Sequence, residues 1–121
     1  MTYQARVWRW VVQCFGTGFA CDPIERAHRF LEESLERAQA VGCTEEDAVK
    51  LVAYVYGRPV GVVFQEVGGV SVTLVALCAG LEVDGDDAAE TELARCWQKF
   101  DRIREKNAAK AHGMPLPGSV T

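Results

Sequence analysis

The chain has 121 residues, 49% of them hydrophobic and 25% charged, which suits one compact domain with its own core and excludes disordered or fibrous chains. Thirteen Lys and Arg stand against 17 Asp and Glu, a formal charge of −4, and this balance speaks against a nucleic-acid binder, which carries a basic excess. The five cysteines are odd in number, form no CxxC pair and share no ligand spacing with His28 or His112, so reduced and mostly buried thiols are expected rather than disulfides or zinc.

The N-terminal run MTYQARVWRWVVQCFG is broken by Arg6 and Arg9, unlike a signal peptide, and no stretch of membrane-spanning length is free of Gly and charge. No membrane partner and a cytoplasmic location are therefore expected. From about Tyr3 to Phe15, Val7, Trp8, Val11 and Phe15 are spaced for one helical face, and Gly16 and Gly18 interrupt it. Asp22-Pro23 opens the next helix, an acid cap followed by a proline suited to the first helical position. Its apolar stripe is Ile24, Ala27, Leu31, Leu35, Ala38 and Val41, and Gly42 stops it. Thr44-Glu45-Glu46-Asp47 caps a third helix that runs to about Tyr56.

Val60 to Leu77 reads two ways. Its β-branched residues around Gly68-Gly69 suit two strands and a tight turn, while the same run suits a buried helix, apolar nearly all round. Propensity leaves both open. The last helix is expected to begin near Asp84 to Asp87 and to bury Ala89, Leu93, Cys96, Trp97, Phe100 and Ile103. Its other face is a basic row of Arg95, Lys99, Arg102 and Lys106. Residues 108–121 lose periodicity and gain Pro and Gly, so an exposed tail follows a single domain of residues 1–107.

The chemistry-bearing pattern is acidic. Glu32, Glu33 and Glu36 sit three and four positions apart, which puts pairs of carboxylates about one turn apart on a helix. Such acids are either a solvated face, partnered by Arg29 and Arg37, or donors to a cation. Glu66 bears on the choice. If 60–77 is a helix, Glu66 is its only charged residue, and a carboxylate in an apolar helix needs a partner, a proton or a metal. Three carboxylates from two helices suit a hard divalent cation such as magnesium, which takes oxygen ligands and keeps several waters.

Glu32-Glu33-Ser34-Leu35-Glu36, followed 30 residues later by Gln65-Glu66-Val67-Gly68-Gly69, resembles the EExxE…ExxD pattern of the MazG-like nucleotide pyrophosphohydrolases. The surrounding runs look like the small phage and prophage branch of that group, and the likeness extends over about residues 11–107. It implies an all-α protein with a four-helix core, here with an extra N-terminal helix and a flexible C-terminal tail, and it makes the fourth segment a helix. It further implies a homodimer or homotetramer in a bacterial or phage-infected cytoplasm. The activity implied is magnesium-dependent hydrolysis of a nucleoside triphosphate to monophosphate and pyrophosphate, with manganese as a possible substitute metal.

By the same resemblance, Glu33, Glu36 and Glu66 are metal ligands, Glu32 is the remaining motif acid, and Glu32, Glu33 and Glu36 are the catalytic candidates, one of which, with Glu32 the first choice, orients or deprotonates the attacking water. Lys99, Arg102 and Lys106 are similar to the family's late basic residues that meet substrate phosphate, a use to which Arg and Lys are suited. The alternative for that row is a solvated face balanced by Asp101 and Glu105. His28 is either a substrate contact or a polar-face residue, and Trp8, Trp10 and Phe15 either stack on a base or pack. One position departs from the pattern: the ExxD aspartate falls on Gly69, which has no oxygen donor. Two readings follow, an enzyme in which water fills that place, and a nucleotide-binding or sequestering module with impaired catalysis.

Overall fold

The computed structural model describes residues 1–110 and 113–116 and is all-α, with no strand among the described residues. Six helices follow in order: α1 Tyr3–Ala20, α2 Pro23–Ala40, α3 Glu45–Tyr56, α4 Val63–Leu81, α5 Gly85–Gln98 and α6 Phe100–Ala108. Local chemistry accounts for four of the six helix starts. Thr2 Oγ1 accepts from Ala5 N at 3.1 Å, Asp22 Oδ1 from Ile24 N at 2.9 Å, Thr44 Oγ1 from Asp47 N at 3.2 Å and Asp84 Oδ1 from Asp87 N at 3.0 Å. Each satisfies an N–H that the first helical turn leaves without a backbone partner.

Two boundaries differ from the sequence expectation and one open segment is decided. First, Gly16 interrupts α1 as expected, a kink at φ +77° and ψ 162° that is open to glycine, but the helix resumes and runs to Ala20. Second, the segment that propensity leaves between hairpin and helix is helical, as the resemblance implies. Third, the last helix is two helices, because Lys99 at φ −99° and ψ 15° bends the chain between α5 and α6. The break keeps its hydrogen bonds, Lys99 N to Arg95 O and Ile103 N to Lys99 O, both at 3.0 Å.

The chain groups into two units, Met1–Ala38 with Leu93–Thr121, and Gln39–Glu92. In the first, Trp10, Val11, Cys14, Ala20 and Leu93 form the core, with Val7, Val12, Phe15, Cys96, Phe100 and Ile103 against it. Trp10 meets Phe15 edge to face at 5.5 Å between ring centres, and Trp97 stacks on Phe100 at 5.9 Å. Among the cysteines only Cys14 is buried and Cys21 is exposed; the other three are half-buried. Burial pushes the Cys14 thiol up to about 11, with Arg104 opposing the shift.

The second unit buries none of the side chains of α3 or α4 within the chain. Phe64 is 90% exposed and Val75 67%. By length and composition alone, α4 is long and apolar enough to cross a membrane. It ends at Glu82, a non-glycine residue at φ 56° and ψ 39°, where Val83 N donates to Cys78 O at 2.9 Å and Glu82 N to Ala79 O at 3.3 Å.

Candidate functional site

The helix that carries three of the motif acids is turned in an unexpected direction. Its apolar residues Ile24, Leu31 and Leu35 are exposed, while Glu25, about 100° round the helix from Ile24, is fully buried. At 100° per residue, Glu25, Arg29, Glu32 and Glu36 fall on one face, with Glu33 at its border. This charged face turns toward α1 and α6.

Glu25 makes the inversion possible, since a fully buried carboxylate requires a partner. Lys110 supplies it, with its Nζ bonded to Glu25 Oε2 and lying 5.0 Å from the centre of the Phe19 ring. Arg29 Nε lies 3.6 Å and Arg26 Nη2 3.9 Å from Glu25 Oε1, close enough for charge attraction and too long for a hydrogen bond. Arg29 then reaches Glu32 Oε1 through Nη1 at 2.9 Å and the carbonyl of Pro115 through Nη2. Arg26 lies over the Phe15 ring at 5.0 Å, and burial lowers its guanidinium from the ordinary value, against the attraction of Glu25.

The motif residues are distributed as follows. Glu32 is half-buried and engaged with Arg29, whereas Glu33 and Glu36 are exposed on α2. Lys106 and Glu32 are brought together, because both line a cavity of about 110 Å³ with Phe15, Arg29, Ile103, Asn107 and Lys110. Lys99, half-buried at the helix junction, and exposed Arg102 are not among its lining residues. A wider cleft of about 490 Å³ is lined by Arg6, Arg9, Leu93, Ala94 and Trp97. Trp10 and Phe15 pack in the core, Trp8 is exposed, and His28 is half-buried with Nδ1 lacking a hydrogen-bond partner.

Glu66 belongs to the second unit and is exposed in the first turn of α4, where an acid complements the helix dipole. Its carboxylate folds back over Gly61 so closely that a Cβ there would collide with Oε1. Val62 at the helix start provides no side-chain cap. A Cβ at Gly69, by contrast, would meet nothing within 4 Å.

Among the described residues, no group of three or more His, Cys, Asp and Glu is gathered for a metal ion. The carboxylates that one helix does provide, Glu33 and Glu36, still fit magnesium, which is often held by one or two carboxylates with water and substrate phosphate completing its shell. Sequence reasoning missed Glu25 and Lys110. The only available signal was that Glu25 shares the helical face of Glu32 and Glu36, and nothing marked its partner 85 residues away. No family model, curated protein or solved structure matches the chain, so the likeness to the MazG-like enzymes rests on the residues of the acidic motif.

Proposed function

We propose that the chain is a magnesium-dependent nucleoside triphosphate pyrophosphohydrolase that works as a homodimer or homotetramer. The observation that carries this reading is the pair Glu33 and Glu36, one turn apart and exposed on α2, with Glu66 as the second half of the motif. These three carboxylates would hold magnesium, which when bound offsets the charge of the phosphates. Glu32, fixed by Arg29, orients the attacking water at the α phosphorus, and Lys106, Lys99 and Arg102 meet phosphate oxygens. The α–β anhydride bond breaks, leaving monophosphate and pyrophosphate. The open apolar residues of α2, α3 and α4 support association with further copies.

The test is incubation with a panel of nucleoside triphosphates and magnesium. Release of monophosphate with pyrophosphate, abolished in Glu36→Gln, is expected. No release from any nucleotide, with Glu36→Gln indistinguishable from the parent, would sink the reading.

A second reading is favoured by Gly69, where the motif's last acid is missing and the space stands open, and by Glu66, bent over its own helix start. It makes the chain a nucleotide-binding or sequestering module without turnover. Gly69→Asp separates the two: a sharp rise in hydrolysis marks an impaired parent site, and steady turnover by the parent excludes this reading.

A further inference from the structure

A site of a different kind lies on the inward face of α2. We propose that Arg29, Lys106 and Lys110, backed by buried Glu25, form a binding site for a single phosphoryl-sized oxyanion that needs no metal.

Charge comes first. Arg29, Lys106 and Lys110 line the cavity with Glu32, and Glu25 lies behind Lys110, three cations against two carboxylates, so the site holds one positive charge in excess. Lys110 is neutralised by Glu25, and Arg29 is shared between Glu25 and Glu32. Lys106 has no carboxylate partner among the described residues. An oxyanion in the cavity would sit beside Lys106 and Arg29 and offset the excess where Phe15 and Ile103 keep the surroundings apolar and charge attraction strong.

One orphaned polar atom points the same way. Arg29 Nε, on a residue that lines the cavity, is buried with no hydrogen-bond partner. A desolvated donor left without an acceptor is costly, and guanidinium N–H groups are suited to phosphate oxygens. Asn107 adds a neutral amide to the same lining, able to donate to an oxygen without adding charge.

Size sets the ligand. A space of about 110 Å³ takes several waters or one tetrahedral oxyanion and is too small to enclose a nucleoside. The chemistry recognised is therefore the phosphoryl group itself, either as inorganic phosphate or as the free end of a phosphorylated molecule. The site shares Lys106 and Glu32 with the pyrophosphohydrolase reading but requires no magnesium, so binding measured in EDTA tests it apart from hydrolysis.

Calorimetric titration of the whole chain with inorganic phosphate, in EDTA, tests the proposal. Saturable binding is expected, weakened at least about tenfold by Lys106→Gln and by Arg29→Gln. Lys50→Gln, which removes one positive charge from the exposed Lys50–Glu46 pair, should bind like the parent. Far-ultraviolet circular dichroism and a melting curve on each variant show that the helices persist, and Lys106→Gln, with an exposed side chain, guards against a folding failure in Arg29→Gln. A nucleoside 5′-monophosphate in a parallel titration distinguishes the sources. Equal affinity for the two means that the phosphoryl group alone is read, and stronger binding of the nucleotide means that it is read as the end of a larger ligand. No heat from phosphate at millimolar concentration would overturn the proposal and leave an internal ion-pair network. Equal weakening by Lys50→Gln would overturn it too, as general charge attraction.

Discussion

Glu25 and Lys110 pair across 85 residues of chain, with side-chain exposures of 0% and 3%. Arg26 and Arg29 stand 3.9 and 3.6 Å from the other oxygen of Glu25, too far to hydrogen-bond it, so Lys110 is its one hydrogen-bonded charge partner among the described residues. The pair thereby draws the segment after α6 onto α2. Replacing either partner with alanine leaves an uncompensated buried charge and is expected to cost about 3–5 kcal/mol. The double variant Glu25→Leu/Lys110→Met, with apolar groups of similar volume, should recover most of that loss. Urea denaturation of the two single variants and the double variant measures it. Additive losses would show that the two side chains act independently.

The end of α4 suggests a stabilising change. Glu82 occupies the left-handed region at φ 56°, which costs an ordinary L-residue about 1–2 kcal/mol and costs glycine nothing. Glu82→Gly keeps the donation from Val83 N to Cys78 O and should stabilise by about 0.5–1 kcal/mol, after the unfolded chain's gain in freedom is subtracted. A higher denaturation midpoint with an unchanged slope is the expected result.

Helix starts were the legible part of the sequence, because a cap acts within one turn: Asp22-Pro23 and Thr44 lie where spacing placed them. The helical state of 63–81 was not legible from propensity, since valine, threonine and paired glycines favour strand and turn equally well. The inverted face of α2 was hidden for another reason. An apolar stripe ordinarily points inward, and only a partner as distant as Lys110 lets Glu25 take its place. The bend at Lys99 carries no breaker residue at all. Of the motif acids, Glu32 with Arg29 was readable from their spacing of three, while the placement of Lys106 beside them required α6 to leave α5 at that bend.

Cys14 gives a pH dependence of definite sign. Its thiol ionises at about 11 in the folded chain and at the ordinary 9.0 once unfolded. The unfolded state loses its proton first, so the contribution is fully present below pH 9 and is lost as pH rises from about 9 to about 11. Urea midpoints measured at pH 8 and pH 10.5 should therefore fall, and the fall should be shallower in Cys14→Ala. At pH 8, iodoacetamide should label exposed Cys21 ahead of Cys14, which becomes reactive on unfolding. Labelling of both at one rate in the folded chain would contradict the shielded thiol.

The exposed side of α2 gives the last prediction. Ile24 at 56%, Leu31 at 52% and Leu35 at 45% exposure share one face, and an apolar row on an otherwise charged helix is costly in water. A stable homo-oligomer typically covers about 800 Å² per subunit, and three such side chains offer apolar surface toward it. Leu31→Glu and Leu35→Glu each place a charge on this row without removing any residue of the Glu25 network. Both variants should elute later than the parent in size-exclusion chromatography at micromolar concentration, with helicity by circular dichroism unchanged. Dissociation should also lower hydrolysis if a neighbouring copy completes the metal site, and that loss should diminish as protein concentration rises. A parent that is already monomeric at those concentrations, or variants that elute with it as an oligomer, would leave this face of α2 outside any interface.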